Sequence, residues 1–177
     1  MIDSFLHSTE FGRSVAPVAR LSLACLGGTP RFDDLMAWAA SVKGGTPLAT
    51  VAVQVCATPE FTSRFGALSH AAFVPQAFQA ALGKAPTGAE QADLVAKLTA
   101  GSLTRPALMA TLVGRPESVL RFRAQVEVLM TYAGLLRRRP DASGWTYWVA
   151  KVGSGTSVQR LIAQFFASSE YRRRFAR

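Results

Sequence analysis

The sequence predicts an all-α fold, a bundle of three degenerate helical units of roughly 55 residues each. Apolar residues recur at three- and four-residue spacings over long stretches, which is typical of amphipathic helices. Pro30, Pro86 and Pro140 stand 56 and 54 residues apart, each 15 residues before a glycine. Alternating apolar and polar runs bounded by tight-turn dipeptides are absent from the sequence, which argues against a sheet. With 177 residues, 49% of them hydrophobic, the chain can bury a sizeable core.

The apolar periodicity is clearest in three long stretches of the chain. The spacing predicts helices over Val15–Leu26, Phe73–Leu82 and Leu120–Leu136. Proline restricts the residue before it to extended conformations, so each of these helices should end just ahead of its unit's proline.

Capping residues predict the shorter helices that follow. The carboxylate of Asp141 can accept hydrogen bonds from the first turn of the next helix. Thr156 or Ser157 should cap a helix over 158–167, and Ser168 should cap one more. The recurring order of these signals divides the chain into units of 5–57, 58–114 and 115–167 and a terminal corner of 168–177. We expect residues 1–177 to form a single compact array, because repeats of this length bury one another's apolar faces.

Positive charge is concentrated in the third unit. The net charge is +9, but residues 1–119 hold nine Lys/Arg against eight Asp/Glu, whereas residues 120–177 hold eleven against three. A local positive field of this kind can attract anionic sugars, phosphates or acidic proteins, although it is also typical of a solvated basic surface.

The third unit also carries a recognisable motif. It resembles the bacterial family called domain of unknown function 4214, with the pattern LLxRxPD, GWxYW, GxGTS and FxASxEY written from Leu135 to Tyr171. Arg137 stands where the family usually has glycine. The resemblance implies a helical fold similar to the linker domains of phycobilisomes, and a place in secreted or cell-surface bacterial proteins, often beside carbohydrate-active domains. It implies no catalytic residues.

The residues that distinguish the third unit from the other two are the candidate binding residues. Trp145 aligns with Leu35 and Gln91 and is expected to be half-exposed, whereas the alignment of Tyr147 with Ala37 and Asp93 indicates an outer face. Aromatic rings in such positions can stack on sugars. The remaining candidates are charged residues that can form directional hydrogen bonds: Arg137, Arg138, Arg139, Asp141, Arg172, Arg173 and Arg174. Trp148 aligns with Trp38 and Leu94 and is predicted to pack in the core.

Several of these charges have a structural alternative. Arg138 could form an ion pair with Asp141 or with Glu170, closing the unit, and Lys84 could form a similar pair in the second unit. The first unit could not, because the corresponding residue is Gly28. The terminal arginines could equally serve as a favourable end to the last helix.

Other site classes find little support in the sequence. It contains no familiar nucleophile, phosphate-loop, dinucleotide, zinc-protease or nucleic-acid motif, so we expect no catalysis, no cofactor and no metal. Cys25 and Cys56 align with apolar residues and are expected to fill the core as small hydrophobic side chains, whether or not they pair. No apolar run is long enough to span a membrane, and no standard signal peptide is visible.

Together these observations predict a non-catalytic interaction module at the bacterial cell surface or secreted, binding glycan or a protein partner. The alternative is an intracellular scaffold or an anion-binding protein that uses the basic third unit.

Overall fold

A computed structural model describes residues 8–175, apart from the side chain of Phe175. Residues 1–7, 176 and 177, which include the start of the predicted first unit and the end of the terminal corner, lie outside the described residues. Every regular element in this range is helical, which confirms the predicted all-α class. The α-helices are α1 (Ala16–Leu26), α2 (Phe32–Lys43), α3 (Leu48–Cys56), α4 (Pro59–Phe61), α5 (His70–Leu82), α6 (Gly88–Thr99), α7 (Arg105–Gly114), α8 (Pro116–Leu136), α9 (Ala142–Gly153), α10 (Val158–Ala167) and α11 (Ser169–Phe175). Short π-helical segments, Phe11–Val15 and Thr62–Gly66, adjoin α1 and α4.

The three long predicted helices form α1, α5 and α8. The ends agree with the prediction, but α5 and α8 begin earlier than periodicity indicated. Ser69 caps α5 by accepting a hydrogen bond from the Ala72 backbone at 3.3 Å. Pro116 begins α8, where its missing N–H would have had no helical partner.

The three long helices share one way of ending. Gly27, Gly83 and Arg137 each adopt a left-handed backbone, with φ of 71°, 72° and 48°. In this conformation the backbone N–H of each residue returns to a carbonyl four residues earlier, which closes the helix. Arg137 is the one non-glycine residue with positive φ in the described range.

The main hydrophobic core lies around α1. This helix packs against α3, α5, α7 and α8, and its Val18, Ala19 and Leu21 are completely buried. Phe73 and Phe78 of α5 fill the same core. The first and second predicted units therefore share one core. The division into three units itself stays a prediction.

A second core lies in the third unit, between the end of α8 and helices α9 and α10. Tyr132, Leu136, Leu161 and Phe165 are its central residues. The rings of Tyr132 and Phe165 meet edge to face, with centroids 4.7 Å apart. This core fixes α9 and α10 side by side, and their outer faces form the candidate site.

The predicted caps of the third unit are all present. The Asp141 carboxylate accepts a hydrogen bond from the Gly144 backbone at 2.8 Å. Ser157, rather than Thr156, caps α10, and Ser168 caps α11. Between α9 and α10 the chain turns at Gly155, whose φ of 100° favours glycine.

Both cysteine thiols are free. Cys25 is fully buried and Cys56 is half-buried against the main core, which fits their expected packing role. Burial, followed by a hydrogen bond with Cys56, raises the pKa of the Cys25 thiol well above its usual value. Among residues 8–175, no helix combines the length and apolarity needed to cross a membrane.

Candidate functional site

A groove of about 310 Å³ runs between α9 and α10 on the surface of the third unit. Its walls are aromatic, cationic and neutral polar side chains: Tyr147, Trp148, Lys151, Thr156, Arg160 and Gln164. We call it the α9–α10 groove.

Helical spacing places these side chains opposite one another. Tyr147 and Lys151 are four residues apart on α9, and Arg160 and Gln164 are four residues apart on α10. Residues at this spacing lie one above the other on one helix face. The tight turn at Gly155 brings the two faces together, with Thr156 at the end of the groove.

Tyr147 and Trp148 form the aromatic part of the groove. The Tyr147 side chain is 55% exposed, and its ring meets Trp148 edge to face at a centroid distance of 5.0 Å. Trp148 in turn contacts Phe165 of the second core at 5.8 Å. A half-buried tryptophan therefore holds the exposed tyrosine ring in place, which leaves a preorganised aromatic surface facing solvent.

The charged part of the groove is cationic. Lys151 and Arg160 line it, and no carboxylate is among its lining residues. The Lys151 ammonium lies 5.7 Å from the centroid of the Tyr147 ring, within range of a cation–π interaction. The groove therefore combines two cations with amide and hydroxyl groups that can hydrogen-bond a polar ligand.

Trp145 does not line this groove. It is half-buried, as expected, but it packs against both hydrophobic cores. The structure pairs Tyr147 with Trp148 instead, although the sequence comparison assigned Trp148 to packing alone. Trp148 does both: one part of its ring packs on the core, and another lines the groove.

Arg138 forms the ion pairs that were expected as the structural alternative. Its Nε donates to Glu170 Oε1 at 2.6 Å and its Nη2 donates to Glu170 Oε2 at 2.8 Å, a bidentate arrangement. The guanidinium also reaches Asp141 Oδ2 at 3.4 Å and lies over the Tyr132 ring at 5.1 Å. Hydrogen bonding from Arg138 lowers the pKa of Glu170. In the second unit Lys84 donates to Glu117 at 2.8 Å, the similar pair that the sequence suggested.

Asp141 is held by its own helix. The Gly144 backbone and the Ser143 hydroxyl donate to its carboxylate, and these bonds lower the pKa of Asp141 to about 2. The hydroxyl of buried Tyr132 lies so close to Gly144 that any β-carbon there would collide with it. This contact explains the glycine of the motif, for which the sequence alone offered no reason.

The remaining candidate arginines do not converge on the groove. Arg137 is exposed at the end of α8, and Arg139 faces a cavity of the first unit. On α11, Arg172 donates to the Ala167 carbonyl at 2.7 Å, and Arg174 lies 3.9 Å from Glu170. These two contacts support a structural role for part of the terminal cluster, while Arg173 is exposed.

Sequence reasoning missed Lys151, Thr156, Arg160 and Gln164. A signal was present: two residue pairs at four-residue spacing flank a glycine turn, and each pair contains a cation. Recognising it required knowing that α9 and α10 present these faces to each other.

A family model described as Domain of unknown function (DUF4214) matches residues 52–122 and 126–175, well over half of the chain. The chain belongs to this family. No curated protein matches it, and no solved structure does. Membership in DUF4214 accords with the helical fold and assigns no activity. Within residues 8–175, no group of three or more histidine, cysteine or acidic side chains could hold a metal ion.

Proposed function

We propose that this DUF4214 protein is a non-catalytic interaction module of a bacterial cell-surface or secreted system, and that it binds glycan in the α9–α10 groove. The observation that carries the proposal is the exposed Tyr147 ring, held by Trp148 and flanked by Lys151 and Arg160. An aromatic face stacks on the apolar face of a sugar ring, while charged and amide groups bond its hydroxyls or carboxylates.

The two cations narrow the expected ligand to glycans that carry acidic groups. Lys151 and Arg160 both line the groove without an opposing carboxylate. They would attract a uronate or sulfate group, and Thr156 and Gln164 would bond neutral hydroxyls. The groove is small, so we expect it to bind a short segment of a chain.

The test is a glycan array with neutral and acidic oligosaccharides, read at low and at high salt. We expect acidic glycans to be preferred, with affinity that falls moderately with salt because only two cations take part. Tyr147→Ala should weaken binding at both salt concentrations. Phe166→Ala is the matched control, because Phe166 is an exposed aromatic residue outside the groove, at 47% exposure.

A second candidate function is anion binding without sugar recognition, favoured by the excess of basic residues after residue 120. In that case Tyr147→Ala would leave binding unchanged, and polyphosphate would bind as well as acidic glycans. Retention of glycan binding by a Tyr147→Ala, Lys151→Ala double variant would contradict the groove as the site.

A further inference from the structure

In the second and third units, a cation just after the long helix pairs with a glutamate that lies shortly beyond the end of that unit. In both, the cation follows directly after the left-handed residue that ends the long helix, and the glutamate lies in the first turn of a later helix. The pairs are Lys84 with Glu117 and Arg138 with Glu170.

For the first unit the corresponding glutamate, Glu60, is present just beyond its end, but the cation is missing. Gly27 has the same left-handed backbone, but Gly28 follows it and has no side chain to offer. Glu60 makes no ion pair within 4 Å among the described residues. Arg64, one turn after Glu60, is engaged elsewhere and donates to the Ala24 and Cys25 carbonyls at 2.8 and 2.7 Å.

A cavity of about 270 Å³ occupies the place of the missing cation. Gly28, Trp38, Thr58 and Glu60 line it, and a β-carbon at Gly28 would meet nothing within 4 Å. In the third unit the corresponding cavity is smaller, about 180 Å³, and the Arg138 side chain forms one of its walls. Trp148 lines that cavity as Trp38 lines this one.

The charged residues that line the cavity determine the charge of the group that it can bind. Arg31 and Asp34 pair with each other at 2.9 Å, which leaves Glu60 as the unpaired carboxylate. Arg139 also lines the cavity but lies beyond 4 Å from the Glu60 oxygens. Its positive charge therefore weakens the binding of a cation in the cavity. It does not form an ion pair with Glu60.

We propose that this cavity binds an arginine or lysine side chain of a partner polypeptide, with its guanidinium or ammonium group on Glu60. The incoming cation would occupy the position that Arg138 and Lys84 occupy in the other two units. The residues of this cavity do not line the α9–α10 groove, so the inference stands independently of glycan binding there.

The test uses methylguanidinium chloride and a capped arginine, N-acetyl-arginine-N-methylamide, with sodium chloride at equal ionic strength as the blank. Binding is followed through the amide resonances of Gly28 and Glu60 and the indole resonance of Trp38. Both probes should produce saturable shifts at these positions. Gly28→Arg should abolish them by placing a tethered cation on Glu60, and Glu60→Gln should abolish them by removing the charge.

Glu117→Gln is the matched control and should leave the shifts unchanged, since Glu117 is already paired with Lys84. Arg139→Ala should tighten binding several-fold, because it removes the opposing charge. Melting curves establish that each variant is folded.

Three outcomes would overturn the proposal. One is the absence of saturable shifts in the folded wild-type protein. A second is binding that persists in Glu60→Gln, or that weakens in Arg139→Ala. The third is a response to methylguanidinium but none to the capped arginine, which would exclude a polypeptide side chain as the source.

Discussion

The Arg138–Glu170 pair should be measurably coupled, and the coupling should depend on pH. Both bidentate distances, 2.6 and 2.8 Å, are ideal, but the two side chains remain 30% and 39% exposed. Exposed ion pairs contribute about 0.2–1 kcal/mol, and buried ones are far costlier to break. We therefore expect a coupling near the top of the exposed range, about 1 kcal/mol after allowance for solvent screening.

The assay is a double-mutant cycle in urea with Arg138→Gln, Glu170→Gln and the double variant. Such a cycle isolates the pair from the separate contact of Arg138 with the Tyr132 ring. Lys84 and Glu117 are the matched comparison, because they are joined by a single contact and their side chains are more exposed, at 54% and 44%. Its coupling should be clearly smaller.

The pH dependence has a definite sign. Arg138 lowers the pKa of Glu170 below its ordinary value of 4.5, so the folded protein holds the charged carboxylate more strongly than the unfolded chain does. The stabilisation from the ion pair is complete above pH 4.5, and it is lost as the pH falls through the lowered pKa of Glu170 in the folded protein. Equal coupling energies for the two pairs, or an Arg138–Glu170 coupling that does not fall as the pH is lowered below 4.5, would refute this reasoning.

Three further predictions about the third unit are tested by urea unfolding. Asp141→Ala should cost about 1 kcal/mol by removing the α9 cap, and Asp141→Asn should cost less because its amide oxygen still accepts; equal losses would contradict the cap. The cap's charge contribution should vanish as the pH falls from 3.8 through about 2. Gly144→Ala should lower the free energy of unfolding by about 1–3 kcal/mol, because the new methyl group collides with the Tyr132 hydroxyl. In a Tyr132→Phe background, which lacks this hydroxyl, Gly144→Ala should destabilise less; an equal loss in both backgrounds would exclude the collision. Arg137→Gly should stabilise the protein by up to about 1 kcal/mol, because glycine adopts the left-handed backbone without strain. Gly83→Ala should destabilise it for the same reason, and changes of the opposite sign would refute backbone strain as the cause.

Local sequence signals predicted the helices and their ends well, because the forces involved are local. Asp141, Ser157 and Ser168 cap helices through bonds that span three residues, so their roles can be read from short segments. The left-handed ends at Gly27 and Gly83 were not predicted, although they also depend only on the local backbone. The sequence offered an ion pair of Arg138 with Asp141 or with Glu170 as an alternative to ligand binding, and the structure contains both contacts.

The candidate site was harder to predict because it depends on how helices face each other. Trp148 occupies a position that is filled by Trp38 and Leu94 in the other units, so its packing role was visible. Its second role in the groove depends on the approach of α10. Likewise, the sequence gives no indication that Arg139 of the third unit lines a cavity of the first.

Comparison of the second and third units shows why Lys151 is available to a ligand. Lys97 occupies the corresponding position on α6, and Asp93, four residues earlier, neutralises it at 2.7 Å. On α9 the residue four positions before Lys151 is Tyr147, which leaves the ammonium beside a ring instead of a carboxylate. Both arrangements occur on the same kind of helix, so it is Tyr147, in place of an aspartate, that leaves Lys151 available to a ligand.

Tyr147→Asp should therefore give the third unit the pattern of the second. The new carboxylate would pair with Lys151 at the same helical spacing, worth about 0.3–0.5 kcal/mol, so stability should change little. Binding of acidic glycans should nevertheless fall more than in Tyr147→Ala, because both the ring and the free cation are lost. The comparison is made by titrating one acidic oligosaccharide into each variant, with Ala37→Asp on α2 as the control. If Tyr147→Asp bound acidic glycans no worse than Tyr147→Ala, Lys151 would have no part in recognition, and the cationic half of the proposed site would have to be abandoned.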